Sequence, residues 1–178
     1  MLDKLYISPK QWWHILRWAM YCLLFLTAVI LQTVIWGKDG ILGHTPDLVA
    51  LVIITVCLIE GSERGGLFAL ITSTIWALSG IDRGPLQILC LTVLPVLCSH
   101  YGRKILSIAY VPELLSCILV LFITGLLEFF LRVFYDGIPS HMFFTRLLPG
   151  ILVTLLFQPV AYWLVKSIEK IGDPYEAT

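Results

Sequence analysis

Residues 45–85, with the sequence TPDLVALVIITVCLIEGSERGGLFALITSTIWALSGIDRGP, decide the fold of this chain. They contain two apolar segments separated by a short charged turn, Gly-Ser-Glu-Arg-Gly, at residues 61–65. Pro46 and Asp47 suit the start of the first segment, because proline is tolerated in a first helical turn and a carboxylate there accepts unpaired backbone N–H groups. The stretch predicts a hairpin of two membrane helices.

The composition extends this prediction to the whole chain. Of the 178 residues, 58% are hydrophobic and 13% are charged, and the mean hydropathy is +0.90. Soluble domains carry about 25% charged residues, because their surfaces face water. We therefore expect an all-α integral membrane protein in contact with the lipid bilayer. The formal net charge is zero and no basic run is present, so nucleic-acid binding is not expected.

Six apolar segments approach the length of about 20 residues that a helix needs to cross the hydrocarbon layer. The predicted spans are 18–36, 46–60, 65–81, 86–101, 112–134 and 147–165. They predict one domain, a compact bundle of about six transmembrane helices. Pro95 is expected to kink the fourth span, for which a re-entrant or strongly tilted segment is the alternative. Pro159 falls in the interior of the sixth span.

The distribution of Lys and Arg predicts the orientation of the bundle. Six spans place both termini on one side, which collects Lys4, Lys10, Arg17, Arg64, Arg103, Lys104, Lys166 and Lys170. The other side collects Lys38, Arg83, Arg132 and Arg146. Because cytoplasmic loops carry the excess of basic residues, we expect both termini in the cytoplasm. No small-residue cleavage site follows a short apolar core, so the first helix is expected to remain in the mature protein.

A stripe of small residues follows one face of the third span, because a spacing of four keeps one helix face. It consists of Gly65, Ala69, Ser73 and Ala77, with Gly66 and Gly80 beside it. Close backbone approach across small residues favours helix association in lipid. The stripe therefore predicts either packing within the bundle or docking of a partner helix.

Two charged residues of the fifth span are a further candidate for a functional or structural site. Glu128 and Arg132 are four residues apart, so they can form an ion pair on one face of the fifth span. An interfacial ion pair is one interpretation, and a buried role for Glu128 at membrane depth is the other. Glu60 and Glu63, which flank Arg64 in the short turn, are expected to be solvated.

Nothing in the sequence matches a catalytic or metal-binding motif. The histidines, which stand at segment ends or in loops without i, i+4 spacing, are His14, His44, His100 and His141. The cysteines, which lie inside apolar segments and are expected to be buried as small hydrophobic residues, are Cys22, Cys57, Cys90, Cys98 and Cys117. We therefore expect no enzyme activity, no cofactor and no metal site.

The order of several short motifs resembles the bacterial rod-shape-determining protein MreD family. These motifs are Leu31-Gln32 at the end of the first helix, Pro46-Asp47 at the start of the second, Gly65-Gly66, and Ser79-Gly80 followed by Gly84. The length and the six-span layout agree with that family. Members often carry a glycine mid-helix and an acidic residue one turn later, where this chain has Thr72 and Trp76.

The resemblance implies a non-enzymatic scaffold of the cell-elongation machinery in the bacterial inner membrane. Its implied partners are the MreC protein, the MreB filament, and the glycosyltransferase and transpeptidase that build side-wall peptidoglycan, and self-association stays open. In this interpretation the small-residue stripe holds the membrane helix of MreC. The family is also similar in fold to the substrate-binding subunits of energy-coupling-factor vitamin transporters, which supplies the alternative function. Those subunits typically carry an Ala-xxx-Ala docking motif, whereas Ala19 and Ala28 here are nine residues apart.

Overall fold

A computed structural model of the chain describes residues 9–36, 40, 44–79, 85–105, 110–136 and 147–171. The described part is all-α, and no β-strand occurs in these ranges. Its helices are α1 (Pro9–Ile30), α2 (Leu48–Glu60), α3 (Ser62–Leu78), α4 (Pro85–Ile105), α5 (Tyr110–Asp136), α6 (Leu148–Leu156) and α7 (Gln158–Ile171). A π-helical turn, Leu31–Ile35, continues α1.

The second helix, α2, is the centre of the bundle. Eleven of its 13 residues are buried. Its sequence is apolar on every face, as expected of a helix that is surrounded by protein. It packs against α1, α3, α4, α5 and α7, so the other helices are positioned by their contacts with α2.

A single residue, Gly61, connects α2 to α3. Gly61 has φ +98°, a backbone conformation that glycine adopts readily and other residues rarely do. The prediction that α3 begins at Gly65 is therefore wrong, because Ser62 already starts the helix. Glu63 and Arg64 lie exposed in its first turns.

The fourth helical region is one uninterrupted α-helix. It continues on both sides of Pro95, which is buried. The next helix, α5, begins at Tyr110, two residues before the predicted start at Pro112.

The sixth predicted span is two helices instead of one. The helix breaks at Phe157, and α6 and α7 meet at a bend of 43°. The cause is Pro159, which has no N–H for the carbonyl of Leu155 and whose ring clashes with the preceding turn. The break places Gln158 at the first position of α7.

Two described helical stretches, Trp12–Ile35 and Tyr110–Tyr135, are long and apolar enough to cross a membrane. The bent pair of α6 and α7 makes a third if it counts as one span. Leu48–Glu60 and Leu86–Gly102 are shorter apolar helices. The described chain therefore contains two or three candidate membrane spans by length and composition.

Candidate functional site

Polar side chains lie in the interior of the described bundle and form three clusters. The cap cluster consists of Gln32, Asp47 and Thr154. The ion-pair cluster consists of Arg17, Tyr21 and Glu60. The core cluster consists of Thr55, Glu113, Cys117 and Gln158. Each cluster joins side chains from different helices.

The cap cluster satisfies backbone groups at the start of α2. Asp47 Oδ1 accepts from the Ala50 N–H at 3.3 Å and from Gln32 Nε2 at 3.4 Å. Gln32 Oε1 accepts from the Val49 N–H at 3.0 Å. The N–H of Asp47 donates to Thr154 Oγ1 at 2.9 Å. Because the first N–H groups of a helix have no partner within the helix, these bonds fasten α2 to α1 and α6.

Local sequence explains how the cap cluster forms. Asp47 precedes the first residue of α2, the position at which a carboxylate caps a helix best. Gln32 lies in the π-helical turn after α1 and is buried. Pro46 is buried beside Asp47. The structure thus brings Gln32, Pro46 and Asp47 together, whereas Gly80 and Gly84 lie outside the described residues.

The ion-pair cluster closes the opposite end of α2. Arg17 Nη2 donates to Glu60 Oε2 at 3.1 Å, and the Tyr21 hydroxyl donates to Glu60 Oε1 at 2.7 Å. Only 6% of the Arg17 side chain and 4% of the Glu60 side chain are exposed. The expectation that Glu60 is solvated is wrong, because α1 supplies a cation and a hydroxyl that replace water.

The core cluster lies between α2, α5 and α7. Gln158 Nε2 donates to Glu113 Oε2, and the Cys117 thiol contacts Glu113 Oε1 at 3.8 Å. The Thr55 hydroxyl lies 4.0 Å from Cys117 Sγ. Thr55, Cys117 and Gln158 are fully buried, and Glu113 is 7% exposed. Gln158 Oε1 is buried and has no hydrogen-bond partner among the described residues.

The small-residue stripe packs inside the chain. A Cβ on Gly65 would lie 2.5 Å from the Cα of Cys57, so α3 and α2 touch backbone to backbone there. Ala69 is fully buried, and the Ser73 hydroxyl lies 3.2 Å from the Thr92 hydroxyl of α4. Ala77 is half-buried. The stripe therefore packs against α2 and α4 within the described bundle.

Three further stripe neighbours also face the interior. A Cβ on Gly66 would meet Val96 Cγ2 of α4 at 2.8 Å. Thr72 is buried and donates to the carbonyl of Phe68 at 2.6 Å. Trp76 is 2% exposed. The two positions at which this chain departs from the resembling family are thus packing positions in the bundle.

Glu128 and Arg132 form an ion pair on the outer surface of α5. Arg132 Nη2 donates to Glu128 Oε1 at 2.8 Å. The two side chains are 37% and 45% exposed in the order Glu128, Arg132. The pair belongs to none of the interior clusters, so Glu128 is not part of the core of the described bundle.

The cysteines and histidines do not converge on a site. Cys57, Cys90 and Cys117 are buried, Cys98 is half-buried, and Cys22 is exposed, so the prediction of burial is wrong for Cys22. His14 and His100 are exposed, His44 is half-buried, and His141 lies outside the described residues. Within the described ranges, no three His, Cys, Asp or Glu side chains are grouped to hold a metal ion.

The sequence pattern predicts neither the ion-pair cluster nor the place of Glu113 in the core cluster, whereas Gln158, a lone amide in an apolar run, is expected to bond to a neighbouring helix and does so. Glu113 follows Pro112 at the start of the fifth predicted span, and Cys117 follows it by the four residues that keep one helix face. Arg17 immediately precedes the predicted first span and is one of the basic residues expected on the cytoplasmic side. Their partners, Gln158 and Glu60, are 45 and 43 residues away respectively, a separation at which no periodic pattern connects two residues.

No family model, curated protein or solved structure matches the chain.

Proposed function

We propose that this chain is a multi-pass membrane protein of six spans with both termini in the cytoplasm. The distribution of side chains supports membrane insertion, because large apolar residues cover the outer surface of the described bundle while charges are buried in it. Leu23 and Leu26 of α1 and Leu115 of α5 are between 58% and 59% exposed. Arg17 and Glu60 are buried. Water disfavours such a surface, and lipid accepts it.

Within the membrane, we propose a non-enzymatic scaffold of the bacterial cell-elongation machinery. The observation that carries this proposal is the cap cluster, since Gln32, Pro46 and Asp47 are positions of the resemblance to the MreD family and meet at the start of the central helix. The scaffold would bind MreC and link MreB filaments to the glycosyltransferase and transpeptidase of side-wall synthesis.

The three interior clusters suit a scaffold, because each fixes one helix against another. Hydrogen bonds between buried polar side chains of different helices favour one packing arrangement over its competitors. The cap cluster and the ion-pair cluster hold the two ends of α2. Partner helices would then pack on the outer apolar surface of a rigid bundle, since α2 and α4 already cover the small-residue stripe.

Co-purification tests this function. The chain is tagged at its C-terminus and extracted in mild detergent from the membranes of its native cells, and the bound proteins are identified by mass spectrometry. We expect MreC and the wall synthases to be recovered. Recovery of ATPase subunits with a transmembrane coupling protein would instead make the chain the substrate-binding subunit of an energy-coupling-factor transporter.

Two matched variants link the outcome to the cap cluster. Gln32→Leu leaves the Val49 N–H and Asp47 without the amide, whereas Thr33→Val alters a neighbouring exposed hydroxyl that bonds only to its own helix, at Val29. We expect Gln32→Leu to lower the amount of MreC recovered per mole of folded chain, and Thr33→Val to leave it unchanged. Equal recovery for both would mean that the cap cluster does not contribute to the binding of MreC.

A further inference from the structure

The core cluster contains a buried carboxyl group that only neutral side chains contact among the described residues. Gln158 Nε2 donates to Glu113 Oε2, and the Cys117 thiol lies 3.8 Å from Glu113 Oε1. The Thr55 hydroxyl lies beside the same carboxyl group. Glu113 is 7% exposed, and it takes part in neither of the salt bridges of the described bundle. The carboxyl group is therefore hydrogen-bonded without a basic partner in the described ranges.

The helices packed around Glu113 bring no charged side chain to it within the described part of the chain. The neighbour from α2 is Thr55 and the neighbour from α7 is Gln158, neither of which titrates. The titratable neighbour on α5 itself is Cys117, and Cys98 of α4 acts on that thiol. A thiol is neutral when protonated and negative when ionised, so neither cysteine can balance a carboxylate.

A comparison with Glu60 shows what Glu113 lacks. Glu60 is also buried, but Arg17 Nη2 lies 3.1 Å from its carboxylate. Moving a carboxylate out of water is costly, and a close positive charge offsets much of that cost. Neutral donors offset less, because their hydrogen bonds are weaker than those of a charged donor. A bound proton, in contrast, removes the charge itself.

We propose that Glu113 binds a proton in the folded chain, and that the neutral core cluster holds α7 on α2 and α5 until this proton leaves. The contacts of the structure accommodate the proton without rearrangement. A hydroxyl group at Oε1 can donate to the Thr55 oxygen or the Cys117 sulfur, while Oε2 still accepts from Gln158 Nε2. The core cluster is thus a proton-binding site that joins three helices.

Loss of the proton should act first on α7. Gln158 is the first residue of α7, directly after the break at Phe157. An ionised Glu113 regains stability only if water reaches it, and water can enter where a helix is able to move. The break leaves α7 without a continuous hydrogen-bond ladder to α6, so α7 can move away from α5 at a smaller cost than an uninterrupted helix.

Thermal stability at two pH values tests the proposal. A glutamate of the unfolded chain loses its proton above about pH 4.3. If the folded chain keeps this proton, it binds one more proton than the unfolded chain, so its stability falls as the pH rises. The amide of Glu113→Gln stays neutral at every pH, because it can donate and accept as the protonated carboxyl group does.

The natural chain and Glu113→Gln are melted in detergent at about pH 5 and about pH 8. We expect similar Tm values at the lower pH and, at the higher pH, a Tm about 3 °C or more lower for the natural chain than for Glu113→Gln. Glu128→Gln, which removes an exposed charge of the same helix, should melt like the natural chain at both pH values. A Glu113→Gln variant that melts at or below the natural chain at about pH 8 would overturn the proposal.

Hydrogen exchange at about pH 8 shows which helix is affected. We expect backbone amides of α7 to exchange faster in the natural chain than in Glu113→Gln, and amides of α3, which contributes no side chain to the core cluster, to exchange equally in both. Because both proteins are compared at one pH, the intrinsic exchange rates cancel. Equal exchange of α7 in the two proteins would overturn the role of the proton in holding α7.

Infrared spectroscopy detects the proton directly and needs no variant, so it decides the proposal even if Glu113→Gln does not fold. A protonated carboxyl group has a C=O stretching band that is separate from the bands of ionised carboxylates. We expect this band in the natural chain at about pH 7, where exposed carboxyl groups are ionised. Absence of the band would show that Glu113 is a carboxylate and would overturn the proposal.

Discussion

Glu60 lies in the last turn of α2, with its carboxylate buried against Arg17 and Tyr21. The substitution Glu60→Gln keeps the shape of the side chain and removes its charge, so Arg17 is left buried without a counter-charge. Breaking a buried ion pair in this way costs about 3–5 kcal/mol. We expect a loss of that size in the free energy of unfolding, measured by titrating the detergent-solubilised chain with sodium dodecyl sulfate.

The exposed pair of Glu128 and Arg132 is the matched control for Glu60. Glu128→Gln should cost no more than about 1 kcal/mol, since exposed ion pairs contribute little. The double variant Arg17→Met with Glu60→Met should recover much of the loss, because no buried charge then remains unpaired. Similar losses for Glu60→Gln and Glu128→Gln would mean that the buried pair does not hold α2 against α1.

At the scale of single residues, local chemistry could be predicted and distant partners could not. Asp47 caps a helix through Ala50, three residues away, and its position beside Pro46 indicated that role. Glu60 stands in sequence beside a glycine and two further charges, which is typical of a solvated turn. Its actual partner Arg17 is 43 residues away and comes from another helix. Only the packing of α1 on α2 decides between the two.

At the scale of helices, the contact of α2 with α3 depends on Gly65. A Cβ at this position would lie 2.5 Å from the Cα and 2.8 Å from the carbonyl oxygen of Cys57, so backbone has to move. We expect Gly65→Ala to lower the free energy of unfolding by about 1–3 kcal/mol, the usual cost of overpacking. The same sodium dodecyl sulfate titration measures it.

A glycine in α4 provides the comparison for Gly65→Ala. A Cβ on Gly102 would meet nothing within 4 Å. Alanine is favoured over glycine inside a helix by about 1 kcal/mol, so Gly102→Ala should leave the stability unchanged or raise it slightly. A stability change for Gly65→Ala that matches the change for Gly102→Ala would contradict the close approach of α2 and α3.

Helix positions were predictable from apolar runs, but some helix ends were not. The polar residues at 62–64 suggested a loop, yet Gly61 alone makes the turn and Ser62 starts α3. Pro159 was expected inside one helix, and instead the helix breaks two residues before it, at Phe157 between α6 and α7. The small-residue stripe that begins at Gly65 indicated close packing. The spacing of its residues does not show whether the helix packed on it is α2 or belongs to another protein, because that depends on the tertiary structure.

At the scale of the whole molecule, the central helix α2 can be short because other helices surround it. An α-helix rises 1.5 Å per residue, so the 13 residues of α2 extend only about 20 Å. A lipid-exposed helix of that length would leave part of the hydrocarbon layer unfilled. The other helices cover α2, and the polar groups at its two ends are paired in the cap cluster and the ion-pair cluster. A buried helix can therefore cross the layer without matching its thickness.

Six spans with cytoplasmic termini require α2 to cross the membrane, so its two ends should be accessible from opposite sides. Thr45 and Glu63 are exposed residues just beyond these ends. In a variant whose five cysteines are replaced by alanine, we expect Thr45→Cys to react with a membrane-impermeant maleimide in intact spheroplasts. Glu63→Cys should react only after permeabilisation, and Lys170→Cys near the end of α7 should behave like it. Labelling of Thr45→Cys and Glu63→Cys from the same side would mean that α2 turns back within the bundle, which would leave fewer than six spans and reverse the predicted side of every segment after it.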